Sequence, residues 1–513
     1  MKRRGWLLLG AYVALIVALS FYHEMWRDEV RALSVAIDAP SWGAMFADLR
    51  HEGHPSLWYV ILRAGYAVSH SNLVLPVASL AIATIAAYLI LRFAPFPLWM
   101  RALALFGAFL GYQLSVMARS YGLGVALMIA SCIVYRDRDR RPWLLAMILV
   151  LMANTSVHAA IGATIILGIW LLDFFERERR TRILSLWGVG SIAIVVGGVV
   201  LAYMMARPSH DMVWGSTVAA VDFNRILRAI TIDPGKGLMG YRDANIAAVG
   251  EYPWRLLGLD PGIASRLIVD AVILWLLWSL RRNWKAIVGI VAAIIAFEIV
   301  FRAIYSGAPW HEGLLLFLIV AICWITSIGN TAAVRNATRA LMPLLVLQAV
   351  ALPVVAQRVV RYEESSSRDY ARYITRHPEY RDAILMSEPD YFMEPLRYYV
   401  KNRIYMPRQS EFASRAYFGE RRSPEFTLSQ LEAAAQVLAC QKKVPVLVAI
   451  TRDFGDRPWG QREVAYRGTF VWTLEERMRF AAAAKKLVIF PAATSDESYE
   501  VFEVSGCRGL ATG

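Results

Sequence analysis

Residues 136–182 read RDRDRRPWLLAMILVLMANTSVHAAIGATIILGIWLLDFFERERRTR. Two apolar runs, 142–157 and 158–173, meet at a turn carrying His158, and arginine-rich stretches close both free ends. A bilayer span needs about 20 apolar residues, with a range of roughly 17–25. Each run falls a little short and extends into its flanks. Arginine clusters collect on the cytoplasmic side of membrane proteins. The stretch therefore reads as a helical hairpin that leaves the cytoplasmic face and returns to it.

Outward from this hairpin, further apolar runs lie near 5–21, 73–93, 98–118, 121–135, 183–205, 263–281, 285–304, 311–328 and 340–356. The expected fold is a polytopic α-helical membrane protein of about eleven transmembrane helices. The segment Met1 to Ser20 has no small-x-small cleavage site before His23, so it reads as an uncleaved first span. With Lys2 to Arg4 inside, the clusters at Arg92, 136–141, 177–182, 281–285 and 335–339 also fall inside. The loops 22–54 and 207–262 then lie outside. The first of them carries six acids against three Lys or Arg. The apolar segment 55–69 would invert this map if it crossed. It is short and holds Arg63 in mid-run, so it is expected to be a juxtamembrane helix on the outer face. An odd number of crossings leaves the C-terminal tail outside.

The chain has 513 residues, 57% of them hydrophobic, and a net charge of +14. A soluble domain carries roughly 45–50% apolar residues. The excess is confined to residues 1–356, the membrane domain; residues 357–513 have the composition of a soluble domain. The positive charge sits in short loops between apolar runs, where topology accounts for it, so nucleic acid is not expected as a partner. In the tail, helical stretches near Arg368 to His377, Glu394 to Asn402, Leu428 to Cys440 and Glu475 to Lys486 alternate with strand-like AILMS (383–387), PVLVAI (445–450), 487–490 and 499–504. That alternation predicts an extracytoplasmic α/β domain. Cys132 and Cys323 lie in apolar runs as packing residues, whereas Cys440 and Cys507 are expected to pair in an oxidising compartment. No repeat, phosphate loop or metal-ligand spacing is present.

The chemistry-bearing residues gather on the outer face of this map. Trp26-Arg27-Asp28-Glu29-Val30-Arg31 follows the first span, and Glu52-Gly53-His54-Pro55-Ser56-Leu57-Trp58-Tyr59 comes about 25 residues later. Arg119 and Tyr121 stand at one outer turn, His158 at the next, and Trp310-His311-Glu312 at another. Arg302 sits near the outer end of its span, one turn after Glu298. Each alone is more often an anchor, a snorkelling cation or an ion pair. Their convergence favours a site. An aspartate suits proton removal from an acceptor, and arginine suits a leaving phosphate.

A first span followed by an Asp-Glu pair and then Gly-His-Pro opening an aromatic helix resembles the GT-C glycosyltransferases. The likeness is greatest to the branch of protein O-mannosyltransferases and lipid A aminoarabinose transferases, glycosyltransferase family 39. The matching stretches are DEVRALSVA (28–36) and GHPSLWYVIL (53–62), with looser matches in ARSYGL (118–123) and SVHAAIG (156–162). Ser56 stands where the family has a second proline. The resemblance covers the membrane half. It implies inverting transfer of a sugar from a polyprenyl-phosphate carrier to an extracytoplasmic glycan, lipid or protein at a plasma (inner) membrane. Asp28 would be the base, Glu29 its partner, and Arg119 the group that holds the carrier phosphate. His54, Tyr121, His158, Arg302 and His311 would line the substrate. Some GT-C enzymes use a divalent metal and others none, and no ligand set is assured here. The competing readings are a transporter or flippase of lipid-linked sugars, which should show internal repeats, and an anchored scaffold, for which one span would suffice.

Overall fold

The computed structural model describes residues 1–181, 185–207, 261–301, 307–419, 422–454, 458–464, 468–491 and 493–505. The membrane half is helical throughout: α1 (Arg3–Ser20), α2 (Arg27–Asp38), α3 (Trp42–Glu52), α4 (Leu57–Ser69), α5 (Val74–Phe93), α6 (Leu98–Leu105) and α7 (Ser120–Val134). There follow α8 (Pro142–Ala153), α9 (Val157–Thr181), α10 (Leu186–Ala206), α11 (Pro261–Ser279), α12 (Trp284–Ile299), α13 (Pro309–Ile325) and α14 (Thr331–Arg361). Local chemistry sets several starts. Pro142 and Pro309 occupy the first helical turn, and Asn283 and Asn330 cap through their side-chain oxygens.

Among the described residues, five helices are long and apolar enough to cross a membrane: α1, α5, α9, α10 and α14. Large apolar side chains such as Val77, Ile85, Val196 and Leu201 stand exposed on them. Such a surface is stable against lipid, not water. The chain is a helical membrane protein. Each of the eleven apolar runs contains helix; of the remaining six, α11 has 19 residues and α13 has 17, and the other four are shorter.

Two differences from the sequence reading have local causes. The run 98–118 is not one straight helix: α6 ends at Leu105 and a π-helical turn occupies Phe109–Gln113. Here the backbone presses on α14, where a Cβ on Gly111 would lie 2.6 Å from Leu352 Cδ1. Helix α14, in turn, runs to Arg361, past the composition break at Gln357, because nothing in QRVVR interrupts it. Most of the expected outer loop 207–262 lies outside the described residues, though its last two residues begin α11.

Helix α4 has 13 residues, too few to cross. Arg63 lies on it, and its Nη1 donates to the carbonyls of Ala36 (2.8 Å) and Ala39 (2.9 Å) at the end of α2. Those carbonyls have no partner within their own helix. With α2 and α3 it builds a small core of Val30, Leu33, Met45, Leu49, Trp58 and Leu62, separate from that of the bundle.

The tail has its own core, centred on Tyr370, Phe392, Phe470, Phe480 and Tyr499. Strand Val446–Thr451 pairs in parallel with Ile384–Glu388 and antiparallel with Tyr499–Val504, beside which runs Lys485–Ile489. A smaller sheet joins Glu425–Thr427, Gly468–Trp472 and Gly460–Val464, three strands the sequence reading missed. Helices Ser367–Arg376, Leu428–Lys442 and Leu474–Ala483 lie within a few residues of expectation. Cys132 and Cys323 are free and buried, and Cys440 is disulfide-bonded. Its expected partner, Cys507, lies outside the described residues.

Candidate active site

The ends of the helices sort by charge chemistry. At one end, Asp173 receives Lys285 Nζ at 2.6 Å on one oxygen, and the Tyr135 hydroxyl and Arg138 Nη2 at 2.9 Å each on the other. Arg177 Nη1 reaches Asp139 at 2.9 Å nearby. This end collects the arginine clusters at 136–141 and 177.

The opposite end carries the candidate site. Helix α2 starts at Arg27, with six residues (21–26) separating it from the end of α1, so Asp28 and Glu29 fall in its first turn, where the helix dipole favours carboxylates. The two acids have different surroundings. Glu29 is fully buried; one oxygen accepts from the Ala118 backbone N–H, and the other contacts His23 Nε2 at 2.8 Å and accepts from the Trp26 N–H at 3.4 Å. Asp28 keeps 33% of its side chain exposed. Its Oδ2 pairs with Arg119 Nη1 at 2.9 Å, while Oδ1 is 3.8 Å from Arg27 Nε, beyond hydrogen-bonding range. Burial pushes the Asp28 carboxyl up. The facing cations, Arg119 first and then Arg27, His54 and Arg31, outweigh it and hold the group below the ordinary carboxylate value.

Arg119 caps the start of α7. Its guanidinium lies over the rings of Trp310 (4.8 Å) and Tyr121 (5.2 Å), which hold it by cation–π attraction. Behind this platform His311 Nδ1 accepts from the Ala308 N–H at 3.1 Å. Its Nε2 lies 2.8 Å from the Tyr121 hydroxyl and accepts from the Trp310 Nε1–H at 3.0 Å. His158 stacks on His311 with ring centroids 4.3 Å apart, against Phe297 and Phe301. Asp28, Arg119, Tyr121, His311 and His158 thus form a continuous row from recess to interior.

His54 enters from the other side. Gly53 ends α3 at φ +68°, a conformation that favours glycine, and turns the chain toward Pro55. The exposed His54 donates from Nδ1 to the Gly53 carbonyl at 2.9 Å, leaving Nε2 as an acceptor. The protein atoms crowded around the ring, reinforced by Arg119 and opposed by the bond to the Gly53 carbonyl, push this imidazole below its usual value. Leu57 N–H donates to the Asn154 carbonyl at 3.0 Å, which fastens the turn to the α8–α9 connection that carries His158.

Seven of the eight sequence-derived site residues therefore share one end of the bundle: Asp28, Glu29, His54, Arg119, Tyr121, His158 and His311. Arg302 lies outside the described residues. The sequence reading gave no role to Trp310, Arg27, Arg31 or Glu52. Arg31 holds Glu52 in a two-point pair, Nε to Oε2 at 2.7 Å and Nη2 to Oε1 at 2.9 Å. Their proximity is tertiary, although the spacing of Arg27 and Arg31 one turn apart was visible. A cavity of about 270 Å³ also borders Trp310, between the π turn and the end of α14, lined by Tyr112, Met117, Val355, Arg358 and Tyr362. Among the described residues no group of three or more His, Cys, Asp or Glu is arranged to hold a metal ion.

No family model and no curated protein matches the chain. Among solved structures, it is similar to the crystal structure of ArnT from Cupriavidus metallidurans bound to undecaprenyl phosphate, at 12% identity over 99% of this chain and 100% of that one, with a TM-score of 0.48. A likeness this faint decides neither fold nor function.

Proposed function

We propose that this chain is a GT-C-like membrane glycosyltransferase that moves a sugar, with inversion, from a polyprenyl-phosphate carrier to an extracytoplasmic glycan, lipid or protein. The observation that carries the reading is the Asp28–Arg119 pair, 2.9 Å apart in an exposed recess walled by aromatic rings. The pair couples the two groups that the reaction needs. Asp28 takes the proton of the acceptor hydroxyl or amine through its unsaturated oxygen, and the acceptor atom attacks the anomeric carbon. The carbon–oxygen bond to phosphate breaks, and the departing phosphate keeps the electron pair. Arg119, already desolvated on Trp310 and Tyr121, meets that charge without reorganising. Glu29 acts from below by fixing the first turn of α2. The apolar wall Val355–Val359 with Arg358 suits the first part of a lipid phosphate.

In this reading the chain lies in a plasma (inner) membrane with its N-terminus cytoplasmic and the site and tail outside. The test is release of polyprenyl phosphate from a panel of polyprenyl-phosphate hexoses and pentoses by the full-length protein in nanodiscs. Wild type should cleave at least one donor, and Asp28→Asn should slow that cleavage about 100-fold or more while folding is unchanged. Movement of intact donors across a bilayer without cleavage would instead favour a flippase.

A further inference from the structure

Arg27 and Arg31 stand one turn apart on α2, flanking Asp28, and both leave the membrane half to end in the tail. The Arg27 backbone N–H donates to Glu497 Oε1 at 3.1 Å, and its Nη1 donates to Asp496 Oδ1 at 2.7 Å. Its guanidinium lies 4.9 Å from the centre of the Tyr391 ring. Arg31 Nη1 donates to Glu394 Oε1 at 2.8 Å and to the Ala416 carbonyl at 2.9 Å, with Phe418 stacked 4.8 Å away. Glu394 and Glu497 are buried, at 1% and 0% exposure. A buried carboxylate is costly unless a cation faces it, so each pair fixes the position of its arginine more firmly than a surface pair would.

We propose that the tail is a positioning element of the Asp28 site, with Glu394 and Glu497 as its two holding residues; this rests on the reading of Asp28 given above. The two acids fix both ends of the turn that carries Asp28. Through the Arg31–Glu52 pair the same clamp reaches the Gly53 turn and so sets His54. Neither tail acid touches substrate; each acts through an arginine. Other tethers agree in direction: the Tyr399 hydroxyl accepts from the Met25 N–H at 2.7 Å, and Arg415 reaches Asp48 at 2.7 Å. A tail that merely hung from α14 would not need contacts to α2, α3 and the residues before α2. Removing the clamp lets α2 turn, and small misplacements of a base reduce turnover steeply without comparable loss of binding.

The experiment uses the full-length protein in nanodiscs, with Glu394→Gln, Glu497→Gln and the surface variant Asp496→Asn. Glutamine keeps the shape and an acceptor for the Ala416 N–H, and removes the charge. Donor-cleavage kcat should fall about 10- to 100-fold for Glu394→Gln, less for Glu497→Gln and least for Asp496→Asn, with donor KM within about twofold. Backbone hydrogen exchange should rise in 27–36 and 52–54 and stay unchanged in 142–173. Unchanged exchange in 27–36, or equal loss of kcat and rise of KM, overturns the proposal. The exchange readout is independent of the chemistry assigned to Asp28, so an active Asp28→Asn protein would sink the base assignment while leaving the clamp separately judged. Should Glu394→Gln fail to fold, Asp496→Asn and Glu497→Gln still decide by exchange at 27–31.

Discussion

The two ends of the helix bundle each hold an aspartate among cations, and they use it differently. Asp173 is saturated: Lys285 takes one oxygen, and Tyr135 with Arg138 takes the other. Asp28 has one oxygen on Arg119 and the other unmatched within hydrogen-bond range. Such pairing makes a charge structural, because both oxygens already face a donor. An unsaturated carboxylate beside a cation that is braced on aromatic rings has capacity for a proton and for a leaving phosphate. The adjacent acids on α2 repeat the contrast at smaller scale, Glu29 with three partners and full burial, Asp28 open.

The contrast can be broken most decisively by asking whether the two ends face opposite compartments. A cysteine probe at Ser71 should react fully with an impermeant reagent from outside, and one at Asp139 should not react at all. The reverse pattern would put Asp28 in the cytoplasm. Next in size is function. Asp28→Asn should cost about 100-fold or more in turnover, whereas Asp173→Asn should leave turnover within about threefold. Comparable losses from both would dissolve the distinction between a working and a structural aspartate.

Arg119 offers a smaller, two-part effect. Arg119→Gln should weaken carrier binding about tenfold or more, and Arg119→Lys should weaken it less, because lysine keeps charge but lacks the planar fork. Arg119→Gln also removes the largest influence opposing burial at Asp28, so the acid limb of kcat/KM should move to higher pH. The sign also holds for stability. A carboxyl held below its ordinary value stabilises the fold above that value and loses the contribution as pH falls. An acid limb that stays in place would mean that Arg119 does not govern Asp28.

A third arm concerns Glu394, whose carboxyl burial pushes up to about 7, with Glu52 adding to the rise and Arg31, the Ala416 N–H and Arg27 opposing it. Turnover should contain a component that rises with pH around that value as the pair with Arg31 ionises, and Glu394→Gln should lack it. Stability runs the opposite way: a raised acid contributes most at low pH and loses that contribution as pH rises through about 7. The smallest effect belongs to the other end, where Lys285→Met should lower stability by about 1 kcal/mol or less and leave donor KM unchanged, since its acids stay near water. A larger loss of turnover than of stability there would contradict the assignment of that end as structural.

Much of this arrangement was legible in the chain. Apolar runs, arginine clusters and the spacing of DEVR and GHP depend on composition and local order. A helix in lipid must satisfy its own backbone hydrogen bonds, so the sequence has little freedom to hide it. The turns at one end of the bundle could therefore be predicted to hold Arg119, His158 and His311 together. The π turn at Phe109–Gln113 was not legible, because its backbone packs at Gly111 against a leucine 241 positions later, Leu352, which local sequence does not show. The small sheet of the tail was missed for a similar reason: strand 425–427 has three residues, too few to show a period.

The sequence by itself determined a helical membrane chain, a tail with a different composition, and the clustering of polar residues at helix ends. Only the tertiary structure decided which carboxylate of Asp28 and Glu29 stays open, that Arg119 is braced by Trp310, and that Arg27 and Arg31 end on Glu497 and Glu394. The physical reason is range. Hydrophobicity and helix termini act along a few turns of chain, whereas an ion pair between residues 31 and 394 exists only where packing has brought two distant segments within 3 Å and excluded the water that would weaken it.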